Sequence, residues 1–92
     1  MAKVYEFLAN GFEEIEALAP VDILRRADVT VQTVSVTGSQ LVESSHGVTI
    51  KTDLLFEQAG DFSDADLLMI PGGMPGSTNL NAHEGVRQAL RR

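Results

Sequence analysis

An α/β fold built on a parallel sheet is what this sequence predicts, on three observations. A strand-like run, a helix-period run and a second strand-like run follow one another within the first forty residues. The compact apolar run Asp66 to Ile70 has the character of a central parallel strand, buried on both faces. Two of these runs stop on glycine turns, at Asn10-Gly11 and at Pro71-Gly72-Gly73.

Lys3 to Ala9 (KVYEFLA) is the first strand, made of aliphatic, aromatic and β-branched residues. Glu6 in its middle is out of place in a strand covered on both faces, so it is expected either to reach solvent or to meet a specific partner. From Glu13 the period changes. Ile15, Leu18, Ala19, Ile23 and Ala27 recur at three- and four-residue spacing, predicting a helix of about four turns with that set as its buried face. Glu13, Glu14 and Glu16 at its start and Arg25 and Arg26 at its end complement the helix dipole. Pro20 cannot donate to the carbonyl of Glu16 and is expected to kink the helix.

Val29 to Val36 is the second strand, and strand, helix, strand makes a right-handed crossover with parallel strands. Leu41 to Glu43 and Val48 to Thr52 read as a short hairpin joined through Ser44-Ser45-His46-Gly47, and Leu54 to Ala59 as a helical turn with Asp53 as its cap. Asp66 to Ile70 is the third main strand. Ser77 to Leu80 suits a turn of helix, and His83 to Arg92 a final helix with Val86 and Leu90 as an apolar pair.

Composition excludes several classes of function. Thirteen acidic against seven basic residues give a formal charge of −6, which repels nucleic acid and anionic membranes. The longest apolar stretch is too short to span a bilayer and the first residues lack a signal pattern, so a cytoplasmic protein is expected. There are no cysteines, hence no disulfide, no thiolate metal site and no thiol nucleophile among these 92 residues. His46 and His83 lie outside any metal-ligand spacing, and neither a metal nor another cofactor is expected.

Ligands of open α/β sheets bind beyond the carboxyl ends of the strands, where connections leave in opposite directions. In the flavodoxin-like strand order 2-1-3, the first and third strands are neighbours. The Asn10-Gly11-Phe12 loop and the Pro71-to-Gly76 loop then line one crevice. Gly72 and Gly73 allow bare N–H groups to approach a ligand there, although a tight strand-to-helix turn asks for the same residues. Glu16, one turn into the helix, can hold a proton over the apolar sheet end or hydrogen-bond a nucleophile; its alternative is an ordinary first-turn glutamate. For Glu13 and Glu14 the ordinary role is the better account.

The stretches LANGFEEIEALAPVDILRRA (Leu8 to Ala27) and DLLMIPGGMPGSTNL (Asp66 to Leu80) resemble the signatures of the DJ-one-like branch of the ThiJ/PfpI superfamily, in the same order and separation. The resemblance implies a flavodoxin-like, class I glutamine amidotransferase-like, three-layer α/β/α sandwich of about twice this length, of which residues 1–92 are the N-terminal half, forming a homodimer. It implies a reactive cysteine at a strand-to-helix elbow beyond Arg92. Glu16 matches the family glutamate that hydrogen-bonds this cysteine and favours its oxidation to the sulfinate. Gly72 and Gly73 match the backbone of the oxyanion site, and Glu13 and Asp22 a carboxyl pair across the dimer interface. Where several relatives carry an arginine reaching toward the partner subunit's site, this sequence has His46, a titratable ring in place of a permanent cation.

The expected function is action on reactive α-oxoaldehydes such as methylglyoxal, or on their adducts with amines and thiols. The alternatives are a redox-sensing or chaperone-like stress protein, and an intracellular peptidase or amidotransferase-like hydrolase. The remaining half of the domain is expected as a continuing or second chain. Residues 1–92 alone are expected to fold poorly and to lack turnover.

Overall fold

The computed structural model describes residues 3–58, 62–72, 79–80 and 83–90, residues 89 and 90 by their backbone alone. Strand β1 (Lys3–Leu8) leads through helix α1 (Glu14–Arg26) to β2 (Thr30–Ser35), followed by β3 (Leu41–Glu43), β4 (Thr49–Lys51), β5 (Leu54–Leu55), a 3₁₀ turn at Phe56–Gln58, β6 (Leu67–Met69) and helix α2 (Glu84–Leu90). Four strands form one sheet in the order β5-β2-β1-β6, every pair parallel, and β3 and β4 form a separate antiparallel hairpin. The predicted 2-1-3 order is therefore present, with β1 central and β6 as the third main strand.

Strand alternation sorts the core into two layers. On one face Val4 packs with Val21 and Val31, and Leu8 with Phe12, Ala17 and Val42. On the other, Tyr5, Phe7 and Ala9 pack with Val34, Phe62, Leu80 and Val86. Phe62 meets Tyr5 and Phe7 edge-on, each at 5.0 Å between ring centroids, a favourable geometry for aromatic pairs. Helices thus cover both faces, as a parallel sheet requires. No helix of the described residues is long and apolar enough to cross a membrane.

Several expectations are corrected. Helix α1 seats on the sheet through Ala17 and Val21, with Leu24 partly buried, and turns the predicted stripe outward: Ile15 is 71% and Ile23 64% exposed, and Leu18 is exposed as well. Two stripes in this helix satisfy the same spacing. The one with alanine and valine lets the helix approach the sheet more closely. Pro20 lies within the helix, which continues past it to Arg26 as the sequence predicts.

Leu54 and Leu55 are a strand, not the start of a helical turn. They pair with Val34 and Ser35 and extend the sheet beyond β2. Asp53 does not cap a helix, because β2 captures its carboxylate: Oδ2 accepts from the Thr33 amide at 2.9 Å and pairs with Arg25 at 2.8 Å. The last helix begins at Glu84 instead of His83, whose Nδ1 caps it by accepting the Val86 amide at 3.1 Å. Of the predicted turn at 77–80, residues 77 and 78 lie outside the described residues, as do Ala59 and Arg92 and the side chain of Leu90.

Glu6 does not reach solvent, and it meets no hydrogen-bond partner among the described residues. It is 1% exposed, and neither carboxyl oxygen has a hydrogen-bond partner among the described residues. Burial pushes its carboxyl from the ordinary 4.5 up to about 8, so the folded chain holds it neutral near pH 7. A carboxyl raised in the folded state leaves stability intact below its unfolded value and removes it as pH rises through the folded value. Denaturant unfolding of the full-length protein is therefore expected to show stability falling between pH 4.5 and about 8. Glu6→Leu is expected to remove most of that slope, with a relative gain at the alkaline end on the order of a few kcal/mol.

Candidate active site

The site is assembled by the loop that follows β1. Gly11 has φ +89°, a left-handed conformation open to glycine, and its amide donates to the Glu43 carbonyl at 2.8 Å. Asn10 Oδ1 accepts from the Glu43 amide at 3.1 Å, and the Phe12 carbonyl from the Ser45 amide at 2.8 Å. With Phe12 fully buried, the hairpin and the loop lock together. Glu13 then caps α1, its carboxylate accepting from the Ile15 amide at 3.0 Å and 3.3 Å.

The loop after β6 closes onto this helix start through one residue. The Gly72 amide donates to Glu16 Oε1 at 2.9 Å, and the Gly72 carbonyl accepts from the Glu13 amide at 3.0 Å. A Cβ on Gly72 would collide with Glu16 Oε1, so a side chain at position 72 would have to displace the glutamate carboxylate. The expectation that the two loops share one end of the sheet is met by this direct contact. Gly73 lies outside the described residues. Glu16 itself is exposed, with one oxygen held by Gly72 and no described residue bonded to Oε2. The Gly72 amide therefore orients this carboxyl group at one oxygen.

The other predicted residues lie in different settings. Asp22 sits on the exposed side of α1 and pairs with Arg26 one turn on, Oδ1 to Nε at 3.0 Å. The fold joins His46 to Glu14, thirty-two positions earlier: Nδ1 lies 2.5 Å from Glu14 Oε1 and 3.2 Å from Ser45 Oγ. The Ser44 hydroxyl and then the His46 ring hold the Glu14 carboxyl below the usual range. Glu13, Glu14 and His46 each bring a ligand-type atom within 4.8 Å of the others. Glu13 and His46 have protein partners in the Ile15 amide and Glu14 Oε1, while Glu14 Oε2 is buried with no hydrogen-bond partner among the described residues.

A cavity of about 380 Å³ opens at the carboxyl ends of β1 and β2, lined by Ala9, Asn10, Val36, Thr37, Asn79 and His83. Of these, sequence reasoning placed only Asn10 at the crevice, as part of the loop after β1. Asn79 Nδ2 donates to the Asn10 carbonyl at 2.7 Å, and because His83 Nδ1 accepts an amide, the neutral ring carries its proton on Nε2. The available signal was Asn10-Gly11 at a strand end; no pattern in the chain ties it to His83.

A parallel sheet with helices on both faces, and two loops clasped beyond the carboxyl ends of adjacent strands, defines a flavodoxin-like α/β protein with its candidate site at the topological switch point. The profile of the DJ-1/PfpI family matches residues 2–92, and the chain belongs to that family. It is 36% identical over 84 residues to the Parkinson disease protein 7 homolog of Danio rerio, covering 91% of this chain and 44% of that protein. With the glutathione-independent glyoxalase DJ-1 of Schizosaccharomyces pombe it shares 33% identity over 97 residues, covering 99% of this chain and 51% of that protein. The oxidized DJ-1 of Toxoplasma gondii superposes with a TM-score of 0.93 at 36% identity, covering 99% of this chain and 49% of that one. The chain thus spans about half the length of these relatives.

Gly72→Ala is expected to drive Glu16 off the amide. In the full-length protein it should lower stability by roughly 1–3 kcal/mol in chemical denaturation, and a crystal structure should show Glu16 in a different rotamer. An unchanged Glu16 beside an alanine at position 72 would contradict the clasp.

Proposed function

We propose that the full-length protein acts on reactive α-oxoaldehydes, or on their adducts with amines and thiols, through a cysteine outside these 92 residues. Residues 1–92 are the N-terminal half of one domain, and Glu16 tunes the thiol. The observation that carries this is the Glu16–Gly72 clasp, which fixes Oε1 and leaves Oε2 unengaged by the described residues at the switch point. The printed activity of the fission yeast relative, a glutathione-independent glyoxalase, supports the substrate class. The exposed Leu67 in β6 and Ile70 just after it support a further part of the domain lying against that edge.

In the proposed reaction the thiol sulfur adds to the aldehyde carbon. The S–C bond forms as the carbonyl electron pair moves to oxygen, Glu16 takes the thiol proton, and that proton passes to the oxygen to give the hemithioacetal. The Gly73 N–H is assigned to the developing oxyanion, because the Gly72 N–H is committed to Glu16. A homodimer through the outward face of α1 belongs to the same proposal, with Glu13 and Asp22 meeting across the axis. The exposed Ile15, Leu18 and Ile23 give that face apolar area to bury.

The oxidized state of the Toxoplasma relative favours one competing reading, a redox-responsive protein without turnover. Glutathione-free consumption of methylglyoxal by the full-length protein separates the two. Turnover in the wild type and a loss of about 10²-fold in kcat/KM for Glu16→Gln, with unchanged circular dichroism, is the expected result. Absence of turnover, with peroxide converting the cysteine to a sulfinate detectable by mass spectrometry, would reject the enzymatic reading.

A further inference from the structure

Glu6 occupies a position that the proposed chemistry does not use. On the same face of β1, Val4 packs with Val21 and Leu8 with Ala17, so Glu6 between them lies beneath the turn of α1 from Ala17 to Val21. Pro20 is in that turn. Lacking an N–H, it leaves the Glu16 carbonyl without the bond a residue at position 20 would donate, and the helix is weakest just after the residue the site depends on.

No described group stands ready to receive a charge on Glu6. Its register neighbour on β2 is Thr33, whose hydroxyl is already committed to Asp53, donating to Oδ2 at 3.1 Å and accepting the amide at 2.9 Å. Its neighbour on β6 is Met69. The hairpin contributes Val42 and Ile50 to the layer beside it. The charged groups beyond Thr33, Arg25 and Asp53, are paired with each other at 2.8 Å, and Arg25 also donates to the Val31 carbonyl at 2.9 Å. On α1, Glu16 is held by Gly72 and Asp22 by Arg26. An ionised carboxylate with no donor is not tolerated in such a layer, so ionisation must bring water in.

We propose that Glu6 is a positioning residue for Glu16: protonated, it lets α1 lie closed on the sheet, and ionised, it opens the Ala17-to-Val21 turn about Pro20 and releases Glu16 from Gly72. Burial raises the Glu6 carboxyl to about 8, which places the release in mildly alkaline solution. A thiol that gains reactivity with pH would then meet an upper limit set from beneath the helix. Only this catalytic consequence rests on the function proposed above.

The Gly72 amide reports the event directly, since its proton lies in the bond that breaks. In ¹H–¹⁵N spectra of the full-length protein taken from about pH 6 to about pH 9, the Gly72 cross-peak is expected to move with a midpoint near the Glu6 value. It should stay still in both Glu6→Gln and Glu6→Leu, two variants that remove the charge with and without a polar group. A peak that does not move in the wild type, or that moves equally in both variants, overturns the proposal. Intact titration in a protein that consumes no methylglyoxal would uphold Glu6 as the positioning residue and remove only the enzymatic reading.

Discussion

The structure turns on the two hydrogen bonds of Gly72. Its amide holds Glu16 and its carbonyl holds the amide of Glu13, so one residue at the end of β6 fixes both the cap and the first full turn of α1. Backbone bonds at a helix start leave little freedom, because the first N–H groups of a helix have no partner inside it. The cap, the carboxylate and the strand end therefore move as one unit. Whatever reacts at the carboxyl ends of β1 and β6 meets a glutamate whose position is set by the sheet itself.

The sheet supplies that rigidity unevenly. On the face of β1 opposite α1, aromatic rings close the core around Phe62. On the α1 face two clusters, Val4, Val21 and Val31 and then Leu8, Phe12, Ala17 and Val42, are interrupted by a carboxyl group with no hydrogen-bond partner among the described residues. An uncompensated buried acid lowers stability at neutral pH, and such a residue is tolerated only where the rest of the fold outweighs it. Its place beneath the proline turn puts the least stable part of this layer directly under the helix that carries Glu16.

Much of this was legible in the sequence. The crossover β1-α1-β2, the strand ending at Pro71-Gly72 and the adjacency of the two loops all follow from period, turn residues and the handedness of parallel connections. Glu16 and Gly72 were singled out by their places beside those turns, and they meet. What escaped depends on contacts between distant residues. Helix α1 offers two apolar stripes at the same spacing, and only the sheet decides that Ala17 and Val21 face inward. A two-residue strand such as β5 has no period to detect. The pairing of His46 with Glu14 and the capping of α2 by His83 arise from side chains that no local pattern links. Glu6 was visibly anomalous in the sequence, but its lack of a hydrogen-bond partner among the described residues is a property of the packed layers.

The most direct measurement is a crystal structure of the full-length protein at a resolution that fixes both oxygens of Glu16. The account predicts Oε1 on the Gly72 amide and Oε2 turned toward a cysteine sulfur within hydrogen-bond reach. A Glu16 detached from Gly72, or one whose free oxygen faces solvent with no nucleophile beside it, would contradict it.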